Sequence, residues 1–185
     1  GYDIETTLDF EYQNILEEAL LDGIRASGAS TGMALVMNPR TGEVLAMASL
    51  PSYDPNNPSG AEMKNMKNRL VTDIFEPGST TKIVAATAAI SEDVVDDNEI
   101  FYCENGKIQI NGETIHDHKK FGWLTFEDVI VNSSNIGTIK IADKIGRDTF
   151  YQYLRRFGFG TPTGVNFPGE VIGIVHQLRD WSNIS

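Results

Sequence analysis

One cysteine, Cys103, stands in the 185-residue chain, which excludes an internal disulfide and says nothing about compartment. Basic residues are also scarce: 15 Lys and Arg face 26 Asp and Glu, a formal charge of −11. With no Lys/Arg cluster larger than a pair, that balance argues against a nucleic-acid partner. Long hydrophobic runs are missing. The longest, residues 83–90, is broken by Thr87 and falls far short of the roughly 20 residues a membrane-crossing helix needs. The chain begins at Gly1 with no signal peptide or anchor after it, so it reads as a piece of a longer protein. What is present is ordinary for a globular domain. Hydrophobic residues make up 41% and charged residues 22%, which excludes disordered and collagen-like classes. The length fits one domain, or one domain and part of another.

From residue 8 to residue 24 apolar side chains recur at helical spacing (Leu8, Tyr12, Ile15, Leu16, Ala19, Leu20, Ile24). Acids fill the gaps and Asp9 is placed to cap the start, which predicts an amphipathic helix that must pack on something. Gly32–Met37 and Val44–Leu50 are strand-like runs joined by Asn38-Pro39-Arg40-Thr41-Gly42. They predict a β-hairpin, and their unbroken apolarity predicts burial on both faces. Residues 51–60 read as a loop. After the turn Glu76-Pro77-Gly78, a helix is expected from Ser79 to about Ile90, apolar nearly all round and therefore central. Three short segments at 101–104, 107–110 and 113–116, separated by two Asn-Gly pairs, predict a small β-meander. Thr125 with Asp128 opens a helix that Ser133-Ser134-Asn135 interrupts. A further helix ends at Gly146, Asp148 is placed to cap another, and Gly158 ends that one. The tail from Gly160 runs through Trp181 to Ser185 with no closing element.

Two short patterns carry chemistry. In Ser79-Thr80-Thr81-Lys82 the serine and lysine are i and i+3, on one helical face. The positive end of the helix favours a developing alkoxide, and an apolar setting lowers the lysine pKa so that it can accept the serine proton. With 11 serines and 8 lysines, chance alone gives about half an S-x-x-K, so the tetrapeptide by itself is better read as a capped helix start with an exposed lysine, by about ten to one. The rigid Pro77-Gly78 turn before it and the apolar helix after it favour the activated serine. Ser133-Ser134-Asn135 is the second pattern, and alone it fits an ordinary N-cap. His116-Asp117-His118 offers metal-type ligands, but no spacing with His176 or Cys103 resembles a zinc site, and no metal or cofactor is expected. The five methionines read as core filling.

Taken together, S-x-x-K at the head of a central helix and S-x-N some fifty residues later form the layout shared by penicillin-binding proteins and serine β-lactamases. The likeness continues along the chain. It runs through Thr7-Leu8-Asp9, Asn38-Pro39-Arg40-Thr41-Gly42-Glu43-Val44-Leu45-Ala46-Met47, Asn68-Arg69, Phe75-Glu76-Pro77-Gly78-Ser79-Thr80-Thr81-Lys82, Ser133-Ser134-Asn135-Ile136-Gly137, Phe157-Gly158-Phe159-Gly160 and Pro168-Gly169-Glu170. These resemble the transpeptidase domain of a class B penicillin-binding protein. Phe75-Glu76-Pro77-Gly78-Ser79, and Gly122-Trp123-Leu124-Thr125 leading to Ser-Ser-Asn, look most like its division-specific (FtsI-type) or sporulation branch.

The resemblance implies an α/β penicillin-binding transpeptidase or serine β-lactamase-like fold, with residues 1–185 a partial domain holding the helical subdomain and the first strands of an antiparallel sheet. It implies a peptidoglycan D,D-transpeptidase on the extracytoplasmic face of the bacterial membrane, held by an N-terminal anchor outside this sequence. Stem peptides and β-lactam antibiotics would be its ligands, and division or cell-wall synthesis proteins its partners through regions outside this sequence. Carried over residue by residue, Ser79 is the nucleophile, Lys82 the general base, Ser133 a proton shuttle, and Asn135 the group that orients Lys82 and the substrate amide. One departure stands out. No Lys-Thr-Gly or Lys-Ser-Gly follows the S-x-N motif, and Arg40-Thr41-Gly42 precedes Ser79 in a hairpin turn. That strand binds the substrate carboxylate and gives the second oxyanion donor, and losing one such donor costs on the order of 10²–10³ in rate. The isolated chain is therefore expected not to turn over substrate. Two rival readings are a β-lactamase and a non-catalytic β-lactam sensor or division scaffold.

Overall fold

A computed structural model describes residues 2–181. Two compact units form, one from residues up to 73 with 166–171, the other from residues 74–165 with those from 172 onward. Residues 182–185 of the predicted tail lie outside the described residues.

The first unit is a helix laid on a hairpin. Helix α1 (Phe10–Ser27) starts where Asp9 accepts hydrogen bonds from the amides of Glu11 and Tyr12. It stops at Gly28, whose left-handed φ of 67° lets its N–H reach Ile24. Strands β1 (Gly32–Met37) and β2 (Val44–Leu50) pair antiparallel from Gly32↔Leu50 to Val36↔Ala46, and a bulge then shifts the register to Met37↔Val44. The Gln13 side chain docks on β2 as a neighbouring strand would, donating to Met47 O and accepting from Met47 N, both at 2.9 Å. Gly32 allows the close approach of α1: a Cβ there would lie 2.8–2.9 Å from Ile24 and Leu20. The expected burial on both faces is not observed. Along β1 exposure alternates, and Met33, Leu35 and Met37 remain exposed because α1 covers only one face of the hairpin. Helix α2 (Arg69–Thr72) completes the unit, with Val71 buried and its carbonyl bonded to Val171 N.

The second unit is built on α3 (Lys82–Ser91). Val84, Ala85, Ala88 and Ala89 are buried, while Ile83 and Ile90 are exposed, so the helix is central on one side and not all round. Around it pack α4 (Phe126–Val131), α5 (Asn135–Ile145) and α6 (Arg147–Arg156), which contribute Phe126, Val129, Ile136, Ile141, Ile145 and Tyr153 to one core. No α-helix begins at Ser79. Gly78–Thr81 form a 3-10 turn that runs into α3 at Lys82. Gly146, not Asp148, is the N-cap of α6, with Asp148 in its first turn as a favourable acid.

The meander is also corrected. Strands β4 (Lys107–Ile110) and β5 (Glu113–His116) do form a hairpin about Asn111-Gly112. Strand β3 (Ile100–Tyr102), however, pairs with β6 (Trp123–Thr125), where Tyr102 and Trp123 face each other with ring centroids 4.9 Å apart. Lys140 and Lys144 of α5 bind Glu104 and Glu99, tying that helix to the segments flanking β3. No helix among the described residues is long and apolar enough to cross a membrane.

Candidate active site

Ser79 lies at the second position of the 3-10 turn that feeds α3. Gly78 takes a left-handed φ of 57°, and the Thr80 and Thr81 hydroxyls fold back to the carbonyls of Pro77 and Gly78, both at 2.6 Å. Those bonds tighten the turn and leave Ser79 exposed, its hydroxyl without a hydrogen-bond partner among the described residues. In a 3-10 turn residues i and i+3 eclipse, so Ser79 and Lys82 share one face.

Lys82 opens α3 and reaches the turn between α4 and α5. Its Nζ donates to the Ser133 carbonyl at 2.6 Å, to Ser133 Oγ at 3.0 Å and to Asn135 Oδ1 at 2.6 Å. An ammonium has three donors, and here each has one acceptor. Partial burial lowers the Lys82 pKa from its ordinary value of 10.5, and the nearby Asp117 carboxylate opposes that shift. Beside it lies a partly open cavity of about 200 Å³ with apolar walls such as Ala85, Ile139 and Phe150 and polar ones at Thr81, Thr138 and Asp143.

The acceptors are held firmly. Ser133 sits at a left-handed φ of 53°, a conformation that costs a non-glycine residue on the order of 1–3 kcal/mol and clusters at functional sites. Its N–H is tied to Ile130 O. Ser134, fully buried, is the N-cap of α5 and accepts from Gly137 N at 2.9 Å. Asn135 donates its Nδ2 to the His116 carbonyl at 2.8 Å, which fixes the amide with Oδ1 toward Lys82.

All four residues singled out in the sequence thus fall in the second unit. Lys82, Ser133 and Asn135 are in direct contact, and Ser79 is one turn away on the same face. Sequence reasoning weighed Asp117 only as a metal-type ligand, whereas it accepts from Ser134 Oγ at 2.7 Å and from the amides of Asn135 and Ile136 at 2.5 and 3.2 Å. The only available signal was an acid directly after a strand, which has no fixed spacing to the helix it serves. Those bonds occupy both Asp117 oxygens, and no cluster of three or more metal-type ligands occurs among the described residues. Arg40-Thr41-Gly42 lies in the β1–β2 turn of the first unit, where Thr41 bonds Glu43.

The family model for the penicillin-binding protein transpeptidase domain matches residues 32–185. A probable peptidoglycan D,D-transpeptidase, PbpC of Pseudomonas aeruginosa, is 40% identical over 183 residues, covering 99% of this chain and 32% of that protein. The peptidoglycan D,D-transpeptidase FtsI of Escherichia coli is 35% identical over 184 residues, 100% of this chain and 31% of its own length. The chain therefore spans about a third of the curated relatives it matches. Among solved structures, penicillin-binding protein 3 of Mycobacterium tuberculosis superposes with a TM-score of 0.86 at 37% identity. That match covers 95% of this chain and 40% of the other, and the same protein is known in complex with aztreonam. The helices and short antiparallel sheets described above are thus those of this fold. The chain belongs to the transpeptidase family of class B penicillin-binding proteins.

Proposed function

We propose that this chain carries the nucleophile, base and shuttle of a peptidoglycan D,D-transpeptidase, acting on the extracytoplasmic side of the membrane. The observation that supports it best is the convergence of two motifs 51 and 53 residues apart on one ammonium, Lys82 Nζ.

Lys82 must first be neutral, and desolvation moves it that way. The free amine then takes the proton of Ser79 Oγ, which attacks the carbonyl of the penultimate D-Ala of a stem peptide. The Ser79 N–H supplies one donor to the developing oxyanion. Collapse breaks the peptide bond, and terminal D-Ala leaves after its nitrogen has received a proton through Ser133 Oγ. An amine from a neighbouring stem then attacks the ester, cross-links the peptides and restores Ser79. The three partners of Lys82 are not equivalent in this sequence. The Ser133 carbonyl and Asn135 Oδ1 can only accept, whereas the Ser133 hydroxyl can accept or donate. It alone can follow the proton as Lys82 alternates between amine and ammonium. A β-lactam, whose ring is an acylating mimic of the same carbonyl, esterifies Ser79 by the first half of this route.

Intact-mass analysis of the full-length protein after exposure to penicillin tests the reading. Wild type gains one penicillin mass and Ser79→Ala gains none. Equal labelling of both removes Ser79 from the chemistry.

A further inference from the structure

The run His116-Asp117-His118 is neither part of the reacting groups nor a ligand set, yet Asp117 is the hub of the turn that carries two of them. Its Oδ2 accepts from Ser134 Oγ at 2.7 Å, and its Oδ1 from the N–H groups of Asn135 and Ile136 at 2.5 and 3.2 Å. Helix α5 does not need this for a cap, because Ser134 already fills that role through Gly137. What Asp117 adds is a tie from outside the helix, 17 to 19 residues away in sequence, to three successive residues centred on Asn135. Its neighbour His116 completes the clamp by receiving Asn135 Nδ2. Backbone and side-chain amide of Asn135 are both fixed by this one dipeptide.

We propose that Asp117 is the positioning residue of this site: it locks the Ser133–Ser134–Asn135 turn so that Ser133 and Asn135 meet Lys82. The proposal rests on the acyl-transfer reading of Ser79 and Lys82. Asp117 works through hydrogen-bond geometry, and its charge opposes the chemistry, since an anion beside Lys82 favours the ammonium. Among the charged groups on neighbouring elements, Asp117 is the one that acts on Lys82. Asp143 of α5 lines the same cavity, Lys140 and Lys144 of α5 are paired with Glu104 and Glu99, and α3 bears no other charge.

Two substitutions separate geometry from charge. In Asp117→Ala the clamp is lost; a misplacement of about 1 Å is worth on the order of 10²-fold in rate, and the plateau of acylation falls by that factor, while loss of the anion moves the acid limb to lower pH. In Asp117→Asn the amide oxygen still accepts from the two backbone N–H groups. Its NH₂ donates to Ser134 Oγ, which can accept as well as donate. Geometry is kept and the anion is gone.

The assay is the rate of Ser79 labelling by a fluorescent penicillin in the full-length protein, followed across pH. Asp117→Asn is expected to recover a plateau rate close to wild type, with the acid limb of its profile moved to lower pH. A purely structural carboxylate does not move that limb. Wild-type rates in Asp117→Ala overturn the proposal, as does an Asp117→Asn profile that is unmoved or as slow as Asp117→Ala. Those failures leave wild-type labelling at Ser79 intact. Absence of that labelling overturns the acyl-transfer reading, and this proposal with it.

Discussion

Replacing Gly137 by alanine sets two effects of opposite sign against each other. Gly137 is buried in the first turn of α5, and alanine there gains up to about 1 kcal/mol of helix propensity. Against this, the new Cβ would lie 2.5 and 2.7 Å from the γ carbons of Val129 and 3.2 Å from Ser134 Oγ. Val129 is fully buried and β-branched, so it has no free rotamer to yield into, and α5 must move away from α4. Overpacking of this kind costs about 1–3 kcal/mol, and the 2.5 Å contact sets it toward the upper end, so after the propensity gain a net loss of up to about 2 kcal/mol remains. Urea unfolding of Gly137→Ala, Val129→Ala and the double variant measures it. Because Val129→Ala removes the atoms that clash, the double variant should be more stable than the sum of the singles, with a coupling of roughly 0.5–3 kcal/mol, as is usual for contacting residues. Penicillin labelling should fall in parallel, since the Gly137 N–H to Ser134 Oγ bond carries the displacement to the turn holding Asn135. A Gly137→Ala variant more stable than wild type, or strictly additive effects, would refute the steric argument.

Lys82→Arg keeps a cation and its donors but cannot lose a proton, so labelling of Ser79 should drop by roughly the 10²–10⁴ expected for a lost general base. In the wild type the labelling rate should rise with pH as Lys82 passes through its depressed pKa, below the ordinary 10.5, because only the amine is competent. A rate independent of pH would remove Lys82 as the base. Glu99→Gln breaks the contact with Lys144, and since both groups are roughly a third exposed the loss should stay below about 1 kcal/mol in urea unfolding. Its labelling rate should match wild type.

Which features were legible in the sequence follows from how local their causes are. Asp9, three residues before a clear helical stripe, announces its own cap, and Asn111-Gly112 makes the hairpin it predicts. Asn105-Gly106 carries the same turn signal and makes none. Gly106 N bonds Cys103 O, and a Cβ on Gly106 would lie 2.5 Å from the Lys119 carbonyl, so packing from a distant loop dictates that turn. Strand β3 finds its partner in β6, more than twenty residues on, which no local pattern announces. Apolarity of the hairpin overstated its burial because sequence shows what a strand can bury, and not whether a second layer covers it. The four candidate site residues could be named because their spacing follows from helix geometry and a recognisable layout. Asp117 could not, since its place beside α5 depends on where β5 ends.

Asp117 also bears on how the site holds an anion near a lysine that the proposed chemistry needs neutral. An unpaired carboxylate near Lys82 would favour the ammonium strongly in a partly buried setting. Asp117 is not unpaired: one hydroxyl and two amides at the positive end of α5 take up its charge. Its residual pull on Lys82 is therefore weaker than desolvation, and the net direction stays downward. The same three bonds fix Asn135, so charge neutralisation and positioning are one arrangement. Any substitution that frees the Asp117 carboxylate from α5 should then harm the site twice, by loosening Asn135 and by raising the pKa of the base. Ser134→Ala is a partial change of this kind: it removes one of the three donors to Asp117, together with the α5 cap on Gly137 N, and leaves both backbone amides in place.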